Sequence, residues 1–147
     1  MLPLCADEGA GTIVWSPLAR GRLAREEQAP TSRATSDPFA DMLYTQESSD
    51  LAIIDAVATV ARERGVSRAQ VSLAWLRCNP VVVAPLVGAT KASHIDDAVA
   101  SLQIDLTDDE VARLQAPYTP RDDFQGISDD AGLGRISARI GIGPTGS

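Results

Sequence analysis

The sequence has few of the side chains that metal and thiol sites require. Its 147 residues include one histidine, His94, one lysine, Lys91, and two cysteines, Cys5 and Cys78. A zinc site of the usual kind takes four Cys, His or carboxylate ligands with close pairs in sequence, and the two cysteines stand far apart. We therefore predict no metal site and no disulfide framework. A reducing cytoplasm is the expected location.

Basic charge and long apolar runs are also scarce. The 13 Lys and Arg residues face 20 Asp and Glu, for a formal net charge of -7. Nucleic-acid binding rests on a basic patch, so a nucleic-acid partner is not expected. No apolar run approaches the ~20 residues that span a bilayer, and the N-terminus lacks the pattern of a secretory signal. These absences favour a soluble protein with no membrane partner and room for one domain.

What is present is an alternation of strand and helix patterns. The β-branched and aromatic run Thr12–Trp15 predicts one strand, and the apolar run Val81–Val87 predicts a second, buried on both faces. Helices are predicted over about 50–64, 67–76, 93–102 and 107–114, two of them opened by capping boxes. This order is typical of a parallel α/β protein. Trp15 and Trp75 lie within apolar runs and are predicted to pack in the core.

Three segments of the sequence are unusual for a compact sheet domain. Two parallel strands leave open edges and apolar faces, so a piece of something larger is expected, and the isolated chain should aggregate or stay loose. Residues 18–49 show no clear period, which is uncommon in a compact domain unless the segment is a lid or binding loop. Residues 121–147, rich in Gly and Asp, are predicted to be a disordered tail after a domain at 1–120.

The loops that follow the two strands are candidate anion sites. In Ser16-Pro-Leu-Ala-Arg-Gly21, the glycine lets backbone approach a ligand, although an ordinary strand-end turn also accounts for Ser-Pro. Gly88-Ala-Thr-Lys91 opens onto a helix whose first-turn amides and dipole favour an anion. Lys91 adds a positive charge there, or is a solvated surface residue.

Several segments resemble one known family. They are Trp15-Ser-Pro-Leu-Ala-Arg-Gly-Arg-Leu23, Arg64-Gly-Val-Ser-Arg-Ala-Gln-Val-Ser-Leu-Ala-Trp-Leu76, Pro85-Leu-Val-Gly-Ala-Thr-Lys91, His94-Ile-Asp-Asp97, Leu106-Thr-Asp-Asp-Glu110 and Pro117-Tyr118. Their order and spacing are similar to the C-terminal part of bacterial aldo-keto reductases, over about residues 1 to 120. The resemblance implies an incomplete (β/α)8 TIM barrel with about strands 7 and 8 and their helices. It also implies NADPH-dependent reduction of a small-molecule carbonyl substrate without a metal.

The resemblance also implies cofactor contacts in both loops. The first loop would clamp the pyrophosphate with Ser16, Pro17, Leu18, Ala19 and Gly21. The second would cradle the adenosine 2′-phosphate with Gly88, Ala89, Thr90, Lys91 and His94, and Asp97 would face the adenine or ribose. Two departures weaken the match: Ala98 stands where relatives often carry Asn, and Arg25-Glu26 replace a common Gly-Lys.

The family's Asp, Tyr, Lys and His tetrad has no match in this sequence. Lys91 and His94 fall on the cofactor loop, and Tyr44 and Tyr118 do not match the tetrad tyrosine. No catalytic residue is therefore predicted, and the chain alone is not expected to reduce carbonyls.

The sequence is compatible with three functions. The first is the cofactor-binding piece of a reductase, whose open edges are covered by a missing N-terminal half. The second is a non-catalytic NADP-binding or partner-docking protein that oligomerises. The third, a DNA-binding helix-turn-helix at Arg64-Gly-Val-Ser67, is disfavoured because the second helix carries Val71, Leu73 and Trp75 where base contacts need polar side chains.

Overall fold

A computed structural model describes residues 1–25 and 48–119 of the chain. The predicted tail at 121–147 and most of the irregular stretch at 18–49 lie outside these residues. In chain order the elements are α1 (Leu2–Asp7), β1 (Thr12–Val14), α2 (Ser48–Arg64), α3 (Arg68–Arg77), β2 (Val82–Pro85), α4 (Ala92–Ala100) and α5 (Asp108–Gln115). Single 3-10 turns occupy Ala19–Gly21 and Ser101–Gln103. Residues 1–25 and 48–118 belong to one compact unit.

The two strands form a parallel pair, as the element order predicts. Thr12 pairs with Val82, Ile13 with Ala84 and Val14 with Pro85, with an irregularity between Thr12 and Ile13. The Thr12 N–H donates to the Val81 carbonyl at 2.6 Å at one end of the ladder. The α/β class is thus confirmed, with two strands in the described ranges.

Local signals set the helix ends. Gly65, with φ of +66°, follows the last residue of α2, where a left-handed residue commonly ends a helix. Ser67 and Gln70 form the predicted capping box of α3, and Thr107 and Glu110 form that of α5. Helix α1 was not predicted; its signal is Pro3 in the first turn, a position that proline favours.

The core lies between the helices. Its buried side chains come from α2, α3 and α5: Val57, Val60, Ala61, Val71 and Leu114. Leu23, from the loop after β1, and Leu106 pack against this cluster. Burial of this apolar surface is the main term that holds the three helices together.

Burial of β2 on both faces, predicted for a strand inside a larger parallel sheet, is not found among the described residues; the apolar faces of the two strands are open, as the sequence also predicts for this chain. Val83 is 65% exposed, and on β1 Ile13 is 59% exposed. Helix α3 packs against β2, yet the side chains of Ile13 and Val83 stay more than half exposed among the described residues. The prediction that both tryptophans are core residues is also wrong, because Trp15 is 57% and Trp75 37% exposed.

Candidate functional site

Both predicted loops leave the sheet at the same end. Because β1 and β2 run parallel and Val14 pairs with Pro85, the segments that follow these residues start side by side. The Leu86 N–H donates to the Val14 carbonyl at 2.9 Å at this end of the ladder. The structure therefore brings the starts of Ser16–Gly21 and Gly88–Lys91 together at the carboxyl edge of the sheet.

The first loop is a tight turn with unusual backbone angles. Ser16, Ala19 and Arg20 have φ of 51°, 47° and 55°, and Gly21 has φ of 93°. Left-handed conformations cost non-glycine residues about 1–2 kcal/mol each, so neighbouring contacts must hold the loop. The Ala19 and Gly21 N–H groups donate to the Ser16 and Leu18 carbonyls, which helps to hold this geometry.

The loop is closed internally by side-chain contacts. The Ser16 hydroxyl accepts a hydrogen bond from the Arg20 N–H at 3.2 Å. The Arg25 guanidinium donates to the Arg20 carbonyl at 3.0 Å. A Cβ at Gly21 would lie 3.2 Å from Nε of Arg25, so the guanidinium lies against the glycine. Arg25, which sequence comparison marks as a departure, is therefore part of the loop's own structure.

The second loop leads to a helix whose N-terminus has no side-chain cap. Helix α4 begins after Lys91, which makes no capping hydrogen bond, whereas α3 and α5 are closed by capping boxes. The first turn of α4 has no acidic residue, and Lys91 is exposed. First-turn amides lack partners within a helix and carry the positive end of its dipole, so this terminus suits an anion.

His94, in the first turn of α4, hydrogen-bonds back to the preceding loop. The side-chain Nδ1 of His94 accepts from the backbone N–H of Thr90 at 3.4 Å, and the backbone N–H of His94 donates to the Lys91 carbonyl. If Nδ1 accepts, Nε2 carries the proton of the neutral ring and is left as a donor. The side chain is exposed. In this geometry His94, at the N-terminal end of α4, is able to donate to an anion.

Asp97 makes contacts that the sequence does not predict. Its Oδ1 accepts from the Ser67 hydroxyl at 3.1 Å and from Nε2 of Gln70 at 2.7 Å. The predicted contact of Asp97 with adenine or ribose stays a prediction. The contacts of Ser67 and Gln70 with Asp97 were not predicted, because their capping-box pattern indicated only a helix start.

Other site types are not formed by these residues. In residues 1–25 and 48–119 no three His, Cys, Asp or Glu side chains are grouped so that they could hold a metal ion. No helix within the same ranges has both the length and the hydropathy to cross a membrane.

Comparison with known proteins identifies relatives of this chain. The model of the Aldo/keto reductase family matches residues 1–118. The versiconal hemiacetal acetate reductase of Aspergillus parasiticus is 42% identical over 124 residues, which cover 82% of this chain and 36% of that protein. The putative aryl-alcohol dehydrogenase AAD16 of Saccharomyces cerevisiae is 34% identical over 126 residues, covering 82% of this chain and 35% of that protein.

A solved structure shows the same fold. The thermostable aldo-keto reductase Tm1743, crystallised with the inhibitor epalrestat, superposes with a TM-score of 0.54 at 21% sequence identity. The match covers 80% of this chain and 33% of that one. The chain thus spans about a third of the length of the relatives that it matches.

Proposed function

Because the chain belongs to the aldo/keto reductase family, we propose that it supplies the phosphate-binding part of the cofactor site of an NADPH-dependent carbonyl reductase. One observation carries the proposal: the two candidate loops start side by side at the carboxyl edge of a parallel sheet. Barrel enzymes place their sites at this edge, and often build a phosphate site from the loops after strands seven and eight. We assign β1 and β2 to these two strands.

The described residues fit an anionic cofactor at this edge. The uncapped N-terminus of α4, exposed Lys91 and the Nε2 donor of His94 offer positive charge and hydrogen bonds to a 2′-phosphate. A Cβ at Gly88 would meet no atom within 4 Å, so the loop backbone is open to a ligand. The turn at Ser16–Gly21 would take the pyrophosphate. NADPH, when bound, supplies the hydride for carbonyl reduction.

The rest of the activity belongs to the proposal as well. With no match for the Asp, Tyr, Lys and His tetrad, this chain alone is proposed to be inactive and to need catalytic residues from elsewhere. The relatives are named as a hemiacetal acetate reductase and an aryl-alcohol dehydrogenase, which supports a small carbonyl or alcohol as substrate class. Cys5 and Cys78 are free thiols, which fits the proposed cytoplasmic location.

A second candidate is a non-catalytic NADP-binding protein that docks on a partner. The observation in its favour is that Ile13 on β1, Trp15 directly after β1, and Val83 on β2 are all exposed. Apolar patches of this kind often mark interaction sites. Both candidates share the cofactor loops and differ in whether catalytic residues join them.

The experiment is a fluorescence titration of the purified 147-residue chain with NADPH and NADH, with size-exclusion chromatography alongside. Saturable binding by the fraction that elutes as a discrete species, tighter for NADPH, is expected. Lys91→Gln should weaken NADPH binding about tenfold, equivalent to ~1.4 kcal/mol, and leave NADH binding nearly unchanged. Arg113→Gln, a charge loss on α5, should change neither. A discrete species that binds neither nucleotide would overturn the proposal.

A further inference from the structure

The first turn of α3 contacts the elements that carry both candidate loops. This turn consists of Ser67, the N-cap residue, and the helical residues Arg68, Ala69 and Gln70. We propose that the α3 first turn is a positioning element that holds the pyrophosphate loop and the 2′-phosphate loop in one arrangement before the cofactor binds. The inference rests on the proposed function and names residues that do not themselves touch the cofactor.

One contact reaches the loop after β1. Nη1 of Arg68 donates to the Arg25 carbonyl at 2.8 Å, across 43 residues of sequence. Arg25 in turn donates to the Arg20 carbonyl, and the Arg20 N–H donates to the Ser16 hydroxyl. A continuous series of hydrogen bonds therefore runs from the α3 first turn to the residue that opens the loop. Since this loop holds three non-glycine residues at positive φ, it needs such external support.

Two contacts reach the helix that follows the second loop. The Ser67 hydroxyl and Nε2 of Gln70 both donate to Oδ1 of Asp97, at 3.1 and 2.7 Å. Hydrogen bonds to a carboxylate are about twice as strong as neutral ones. Asp97 lies on α4, three residues beyond His94, so fixing it sets the direction in which the N-terminus of α4 points.

The α3 first turn is itself firmly held. Ser67 and Gln70 satisfy each other through the capping box, and the Ser72 hydroxyl donates to the Arg68 carbonyl at 2.8 Å. Ala69 within the turn and Val71 directly after it are buried, and Val71 belongs to the helix core. A turn anchored in the core can therefore impose one geometry on both loops. Preorganisation of this kind raises affinity by reducing the ordering cost of binding.

The contacts make separable predictions for loop order, which hydrogen–deuterium exchange of the 147-residue chain without cofactor can measure. Arg68→Gln should speed amide exchange in residues 16–25 and leave residues 88–94 unchanged. Gln70→Ala should speed amide exchange in residues 88–94 and leave residues 16–25 unchanged. Asp97→Ala, which leaves the capping box intact, should have the same effect. Arg77→Gln is the matched control, because Arg77 lies at the other end of α3 and donates to the Ser101 carbonyl. It should alter neither loop.

Titrations then test the effect on the cofactor. Arg68→Gln should weaken NADPH and NADH binding by the same factor, about three- to tenfold, because both nucleotides contain the pyrophosphate. Gln70→Ala should weaken NADPH binding more than NADH binding, and Ser67→Thr, which keeps the hydroxyl, should retain wild-type selectivity. A merely structural role would lower both affinities equally in every variant and leave the NADPH-to-NADH ratio unchanged.

The two measurements separate the two proposals. If the wild-type chain binds NADPH but the variants exchange like wild type in both loops, the positioning role is wrong and the proposed function stands. If exchange changes as expected but a discrete wild-type species binds no NADPH, the proposed function is wrong, and with it any role of α3 toward a cofactor. Uniform acceleration across both loops in Arg68→Gln would also overturn the positioning role.

Discussion

Arg64 and Glu110 form a bidentate ion pair that joins α2 to α5. Nε of Arg64 lies 2.5 Å from Oε1 of Glu110, and Nη2 lies 2.6 Å from Oε2. Nη2 also donates to the Asp105 carbonyl at 2.8 Å. Paired donors of this geometry suit arginine, which presents them in a rigid fork. The pair fastens α5 to α2 across 46 residues of sequence.

This pair predicts a specific acid sensitivity. The hydrogen bond from Arg64, supported by bonds from Thr107, lowers the pKa of Glu110 from 4.5 to about 2. A carboxylate whose pKa falls on folding stabilises the native state above its unfolded value, and the contribution is lost as pH falls from 4.5 towards 2. Glu110→Gln should reduce the free energy of unfolding at pH 7 by about 1–2 kcal/mol and flatten its pH dependence between these limits.

Urea unfolding followed by circular dichroism from pH 2.5 to 7 measures this effect. Glu63→Gln is the control, because Glu63 pairs with Arg113 in a more exposed position, where both side chains are about half exposed. Its effect should be smaller and should leave the acid dependence in place. An unchanged pH profile in Glu110→Gln would contradict the assigned role of the pair.

Burial predicts a contrast between two chemically identical substitutions. Val71 is fully buried between α2, α3 and α5, whereas Val99 on α4 is 59% exposed. Val71→Ala removes two packed methyl groups and leaves a cavity, so it should cost about 2–3 kcal/mol. Val99→Ala should cost under about 0.5 kcal/mol. Thermal unfolding by calorimetry compares the two, and equal losses would place the core elsewhere.

The sheet predicts a steric effect at Gly11. A Cβ at this position would lie 2.7 Å from Cγ1 of Val83 on the paired strand. Valine is stiff about χ1, so Gly11→Ala should cost about 1 kcal/mol through a rotated Val83 or a shifted strand. Gly88→Ala is the matched control, since its Cβ would meet nothing within 4 Å. Adding Val83→Ala should restore the stability lost in Gly11→Ala; no restoration would exclude this clash as the cause.

The uncovered side chains of the sheet predict self-association. Ile13 and Val83 are more than half exposed, so the purified chain should bind apolar dyes and elute partly as aggregates. The double variant Ile13→Thr, Val83→Thr should bind less dye and elute more as monomer. Val99→Thr, on an exposed helix position, should change neither reading by as much. A wild-type chain that binds no apolar dye and elutes wholly as monomer would contradict this expectation.

Much of the local structure could be predicted from the sequence, because the signals are short-range. Gly65 ends α2 through a backbone angle that other residues disfavour, and the capping boxes at Ser67 and Thr107 depend on residues three positions apart. The parallel pairing follows from the order of strands and helices. The approximate strand positions were also predicted, although β2 is shorter than the apolar run that marks it.

What could not be predicted depends on distant neighbours. The exposure of Trp15 and Val83 is set by what lies over the sheet, and an apolar pattern carries no information about that. The contact from Arg68 to the Arg25 carbonyl joins residues with no common motif. Ser67 and Gln70 both cap α3 and donate to Asp97. The second role cannot be predicted until α3 and α4 are known to lie side by side.

The parallel direction of β1 and β2 limits how copies of this chain can associate. Two copies related by a two-fold axis meet through the same edge, and edge strands related in this way hydrogen-bond in the antiparallel sense. A closed two-fold dimer therefore cannot extend the sheet with further parallel strands. Copies that associate symmetrically are expected to stack the side chains of Ile13 and Val83 face to face. Parallel growth of the sheet requires an asymmetric contact, in which β1 of one copy meets β2 of another copy or a strand of a different chain.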